Sequence, residues 1–258
     1  MSYLDQLFSL HGKVAVVLGG TSGIGQAIAR GFAQAGATVI ASSRDAVKVD
    51  AEAAELEKLG SKTLRITSDV QDRGSMEALS QAAAAEFGRI DVLVVTSGAL
   101  QKGPTTEFSD ADWHRVVDIN LNGSFRANQI FGRHMIAQNG GSIINIASMT
   151  TFVSFNEVAS YGASKAGVAG LTRQLACEWA KHNVRVNAIA PGVFRTPLNT
   201  KALDIPERAQ AILGKTPMGR FGKVEELQGV ALLLASGAGS FLTGQVIAVD
   251  GGFLAKGI

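Results

Sequence analysis

The stretch from Lys13 to Phe32 constrains this chain most. Lys13-Val-Ala-Val-Val-Leu18 is a short unbroken apolar run, the pattern of a strand buried on both faces. Gly19-Gly-Thr21-Ser22-Gly23-Ile24-Gly25 follows directly, and Ile24, Ile28 and Phe32 then recur at helical spacing. Glycines in such a turn let backbone approach an anion closely. The helix that follows offers unpaired N–H groups and the positive end of its dipole, so this order of elements predicts a pyrophosphate cradle.

The alternation continues. Ala37 to Ala41, Thr63 to Thr67, Asp91 to Thr96, Gly141 to Ala147, Val184 to Ile189 and Gln245 to Val249 predict further strands, with helices between them. Asp50 to Leu59 reads as a Glu/Ala/Lys-rich helix closed by Gly60. Ser109 to Ala137 reads as one long helix, opened by Ser109-Asp-Ala-Asp112, a variant capping box. Apolar strands alternating with helices predict an α/β fold: a doubly wound parallel sheet with helices on both faces and its ligand site at the carboxyl ends of the strands. With 258 residues, 46% hydrophobic content and no shift in composition, a single domain over residues 1–258 is expected. The more polar stretch Arg195 to Gly222, marked by Pro206 and Pro217, breaks the rhythm near that site and predicts a mobile substrate lid.

Other features narrow the function class. Formal net charge is +2 with basic residues scattered, which indicates neither a nucleic-acid partner nor a membrane surface. No apolar run reaches membrane-spanning length, and Met1-Ser-Tyr-Leu-Asp5 has no signal-like pattern, so a cytoplasmic protein is expected. Cys177 is the only cysteine, which fits a reducing compartment. Its spacing from Leu171 and Leu175 predicts a buried apolar position. His11, His114, His134 and His182 share no ligand spacing, and no metal site is expected.

The chemistry is carried by Ser148 to Lys165. Tyr161 and Lys165 stand four apart in a helical segment, so a phenol and an ammonium share one face. A free tyrosine titrates at about 10; a neighbouring cation favours the phenolate and brings it toward acid/base work near pH 7. Ser148, ending the strand-like run Ser142-Ile-Ile-Asn-Ile-Ala-Ser148, is placed to donate a hydrogen bond to a substrate oxygen.

Gly19-x-x-x-Gly23-x-Gly25 together with Ser148 and Tyr161-x-x-x-Lys165 resembles the short-chain dehydrogenase/reductase family, from Gly12 to Gly252. The resemblance implies a Rossmann-like domain that transfers a hydride between a nicotinamide dinucleotide and a secondary alcohol or ketone. It implies that Tyr161 is the acid/base, Ser148 its hydrogen-bonding aid and Lys165 the cation that lowers the tyrosine pKa and holds the nicotinamide ribose. Asn120, in Asp118-Ile-Asn120-Leu-Asn-Gly, matches the residue that holds a relay water. Asp69 and Val70 match the adenine contacts. Pro191, Gly192, Val193 and Thr196 match the loop around the carboxamide, and Gly98 the backbone beside the ribose. One departure stands out: Val95-Thr96-Ser97-Gly98 replaces the family's usual Asn-Asn-Ala-Gly, so Thr96 or Ser97 must take over the asparagine contacts.

Ser43 and Arg44 end the second strand where an acidic residue would select NAD. With no carboxylate there and an arginine next, NADP(H) is favoured over NAD(H). Phrases such as Pro217-Met-Gly-Arg-Phe-Gly222 resemble the branch of gluconate 5-dehydrogenases and 2-deoxy-gluconate dehydrogenases, implying a sugar-acid substrate. The alternative is a 3-oxoacyl-[acyl-carrier-protein] reductase, whose usual basic residues are absent from Ile136-Ala137-Gln138. A non-catalytic dinucleotide sensor is the remaining class. The family further implies a homotetramer, packed through helices around Trp113 to Ala137 and Val158 to Ala180.

Overall fold

In the computed structural model, residues 2–197 and 199–257 are described, with backbone alone at 201 and 202. The apolar runs form one parallel sheet in the order β2-β1-β3-β4-β5-β6. Its strands are β1 (Val14–Leu18), β2 (Thr38–Ser42), β3 (Val92–Val95), β4 (Gly141–Ile146), β5 (Val184–Pro191) and β6 (Val246–Val249). The helices are α1 (Tyr3–Phe8), α2 (Gly23–Gln34), α3 (Ala46–Lys58), α4 (Arg73–Phe87), α5 (Asp110–Val117), α6 (Gly123–Ala137), α7 (Ala159–Trp179), α8 (Thr200–Leu203), α9 (Pro206–Lys215) and α10 (Gln228–Ala235).

The alternation of side chains along a strand explains why β1 is apolar throughout. Ala15 and Val17 join the layer under α2 and α10, with Ile28, Phe32 and Leu234. Val14, Val16 and Leu18 join the opposite layer, with Leu79 of α4, Phe131 of α6 and Leu175 of α7. Ile28 and Phe32 are fully buried, each stabilising the fold by roughly 1.5–3 kcal/mol. That apolar stripe holds α2 on the sheet, and so holds the glycine-rich turn at the end of β1.

Four local expectations change. Thr63 to Thr67 forms no strand. It runs beside β2, but serine hydroxyls replace most of a ladder: Ser61 Oγ accepts from Val39 N (2.9 Å) and Ser42 Oγ donates to the Ile66 carbonyl (2.6 Å). The helix placed at Asp50 to Leu59 begins earlier, at Ala46, because Asp45 caps it by accepting from Lys48 N. The long helix from Ser109 is capped by Ser109 as expected, but a π-turn over Asp118–Asn122 divides it into α5 and α6. Cys177 is exposed, not buried. The buried stripe of α7 runs through Val168, Thr172, Leu175, Ala176 and Trp179, and 3.6-residue periodicity carries position 177 off it.

Candidate active site

The carboxyl ends of β1, β2 and β3 open on one cleft of about 630 Å³. Strand order reverses between β1 and β3, leaving a crevice that the connections do not cover. Gly19, Ser22, Gly23, Ile24 and Gly25 form one wall. Ser43, Arg44, Asp69, Val70, Gly98 and Thr196 border it as well. Gln71, Arg115 and Ile119 also border it. No sequence motif marks them; the π-turn and the loop after Val70 bring them there.

This cleft fits a dinucleotide. A Cβ at Gly19, whose φ is +78°, would lie 2.6 Å from Thr96 Oγ1, and one at Gly25 would lie 2.5 Å from the same oxygen. Backbone therefore forms a wall where side chains have no room. Ser22, the N-cap of α2, makes no side-chain capping bond, so the first-turn N–H groups are left for an anion. Arg44 stands 71% exposed, its guanidinium 4.0 Å from Asp69, a solvated cation on a cleft edge.

Thr21 lies behind the wall, its hydroxyl donating to Ser43 Oγ at 2.9 Å and tying the first turn to the second. At the position of the family's asparagine, the Thr96 hydroxyl donates to the Leu18 carbonyl at 2.8 Å, closing β3 against β1. The loop after β5 differs from expectation. Pro191 is buried in β5, and Gly192 packs so tightly on Asp250 that a Cβ would lie 2.6 Å from its Cα. Val193 borders a separate hollow with Phe194 and Asp250. Of the four expected residues, only Thr196 borders the cleft, because the first three pack the β5–β6 end of the sheet.

The proposed reacting groups gather beyond Gly98. Lys165 is 4% exposed and donates to the Ile146 carbonyl at 2.7 Å; a Cβ placed on Gly98 would lie 3.8 Å from its Nζ. Asn120 is wholly buried in the π-turn. Its amide bonds both ways to Ala99, accepting from N at 2.7 Å and donating to O at 3.0 Å. It also donates to Ser164 Oγ at 2.9 Å, and Ser164 in turn donates to the Tyr161 carbonyl at 2.7 Å. Asn120 thereby joins the loop after β3 to the turn of α7 that carries Tyr161. The wider π-turn inserts an extra residue into the helix, which regular periodicity does not anticipate. Ser164 escapes the sequence reading because its role is a contact across elements.

Ser148 follows β4 and accepts from Thr150 N at 3.2 Å. Burial raises the Tyr161 pKa above its ordinary value, and a side-chain hydrogen bond with Ser148 pulls it the other way. Lys165 makes no direct bond to the phenol. Its Nζ lies 5.8 Å from the phenol ring centroid and is bound to the Ile146 carbonyl, while burial brings Lys165 itself down to about 8.

A family model described as enoyl-(acyl carrier protein) reductase matches residues 19–254. The chain is 45% identical over 251 residues to 2-dehydro-3-deoxy-D-gluconate 5-dehydrogenase of Escherichia coli, covering 96% of this chain and 98% of that one. It is 41% identical to a 3-oxoacyl-[acyl-carrier-protein] reductase of Thermotoga maritima, covering 95% and 99%. A crystal structure of gluconate 5-dehydrogenase from Burkholderia cenocepacia, in complex with NADP and tartrate, superposes with a TM-score of 0.95 at 35% identity, covering 99% of this chain and 100% of that one.

Proposed function

Because the chain belongs to the short-chain dehydrogenase/reductase family, a family of NAD(P)-dependent oxidoreductases acting on CH–OH groups, we propose that it interconverts a sugar acid and its keto form, with NADP(H) preferred. The observation that carries the reading is buried Lys165 beside Gly98, at the edge of a glycine-walled cleft, with its Nζ 5.8 Å from the ring of Tyr161. Relatives named for sugar-acid dehydrogenation support the substrate class.

When bound, the dinucleotide supplies or receives the hydride. The remaining steps belong to the chain. In reduction, Tyr161 protonates the developing alkoxide while Ser148 donates a hydrogen bond to the same oxygen. Buried Lys165, beside Gly98, holds the nicotinamide ribose, and Asn120 orders the loop and the water path that restores the proton. Asp69 and Val70 take the adenine, Ser43 and Arg44 the ribose 2′ side, and Thr196 the carboxamide.

Residues 195–222, with α8 and α9, are assigned as the substrate lid of a single domain. Arg195 on this segment is held by Asp204 at 2.6 Å. Lys215, placed over the Phe253 ring at 5.2 Å, and Arg195 are the lid cations we assign to a substrate carboxylate. A homotetramer in the cytoplasm completes the reading, with exposed Trp113 of α5 and Phe125 of α6 on its contact face.

The test follows nicotinamide absorbance with NADPH and NADH in parallel over 5-ketogluconate, a 2-keto-3-deoxy sugar acid and an acetoacetyl thioester. Turnover of a keto sugar acid, faster with NADPH, is expected. Turnover of the thioester alone would move the chain to acyl reduction.

A further inference from the structure

We infer that Glu52 is a positioning residue for the dinucleotide, and that it sets the preference for a 2′-phosphate without touching the cofactor. The inference rests on the proposed cofactor cleft. Glu52 lies in the middle of α3 and is 2% exposed, an unusual place for a carboxylate. Both its oxygens are used. Arg30 of α2 donates to Oε1 through Nε and to Oε2 through a terminal nitrogen, each at 2.8 Å, and Gln26 donates to Oε2 at 2.5 Å. The bidentate fork fixes direction as well as distance.

The partners' positions give the clamp its consequence. Gln26 directly follows Gly25, so one end of the clamp is the first turn of the helix that walls the cleft. Glu52 stands two turns into the helix that begins immediately after Ser43, Arg44 and the cap Asp45, so the other end is the turn bordering the cleft at β2. The other α3 contacts are the apolar side chains Val49, Ala53 and Leu56 and an exposed fork of Arg65 on Glu57, on the side of α3 away from α2. Glu52 adds a directional contact from the α3 side to the Thr21–Ser43 bond and the Gly19 and Gly20 N–H bonds to the Ser42 carbonyl, which join the same two turns at the strand ends. A shift of α3 would therefore cost NADPH the Arg44–phosphate bond while sparing most contacts that NADH shares.

The test measures binding of NADPH and NADH separately, by nucleotide fluorescence, to wild type, E52A and E52Q, followed by steady-state KM and kcat. A charge-assisted bond weakened by misplacement corresponds to about tenfold. NADPH affinity should fall about tenfold in E52A and NADH affinity by less than about threefold, with the loss on KM and not on kcat. The isosteric E52Q should move the same way by a smaller factor, and it carries the test if E52A does not fold. Lowered melting temperature with both affinities unchanged, or equal losses for NADPH and NADH, would overturn the inference. Failure of wild type to bind either nucleotide would instead overturn the cofactor assignment on which it rests.

Discussion

Replacing Lys165 by methionine should stabilise the protein while removing its activity. The side chain is 4% exposed, and burial brings its pKa from 10.5 down to about 8. At about 1.4 kcal/mol per pH unit, holding the buried ammonium at pH 7 costs the fold about 3 kcal/mol. Methionine removes that cost but loses the bond to the Ile146 carbonyl, worth about 1 kcal/mol, so a net gain of about 2 kcal/mol is expected. The sign with pH is fixed by the folded pKa lying below the unfolded one. Between about 8 and 10.5 the unfolded chain holds the additional proton, so the wild type gains stability as pH rises through that window. Urea unfolding of both proteins at pH 7 and pH 10 reads the difference. K165M should be the more stable at pH 7, and its advantage should shrink by pH 10. A less stable variant at pH 7, or a gap unchanged with pH, would refute the reasoning.

Two further substitutions probe the scaffold. Asn120→Ala should lower kcat and destabilise the fold by about 1–3 kcal/mol, since it strands the amide of Ala99 and unlinks it from Ser164; chemical denaturation and steady-state kinetics read both. Gly25→Ala should lower melting temperature and weaken dinucleotide binding together, because its methyl would overlap the Gly19 carbonyl and Thr96 and force the glycine-rich turn to shift; thermal unfolding and calorimetric titration with NADPH read both losses.

Local spacing made much of this legible. The run Val14–Leu18, the glycines from Gly19 to Gly25 and the Ile28/Phe32 stripe are short-range signals, and they place the cleft. The four-residue interval of Tyr161 and Lys165 places both on α7. What failed needs the third dimension. Asp118-Ile-Asn-Leu-Asn122 has ordinary helical polarity, and nothing in it announces a π-turn. Thr63 to Thr67 alternates as a strand does, yet the hydroxyls of Ser42 in β2 and of Ser61 before the segment make bonds where a ladder would run. The four-residue interval brings the Lys165 ammonium to 5.8 Å from the Tyr161 ring, but its bond to the Ile146 carbonyl at the end of β4 is a contact across elements that spacing does not announce. Thr96 shows the reverse: the sequence marks a departure from the family pattern, and the hydroxyl supplies a β1–β3 contact at that position.

The central claim is that Tyr161 moves the proton in a dehydrogenase reaction, and Tyr161→Phe tests it most directly. Turnover of a keto sugar acid and NADPH binding should be measured on the same preparation, the latter by fluorescence. The account predicts turnover reduced to background with NADPH affinity within about twofold of wild type, because the phenol oxygen acts on substrate and the glycine-walled cleft holds the cofactor without it. Wild-type turnover in Y161F, or loss of nucleotide binding together with turnover, would contradict it.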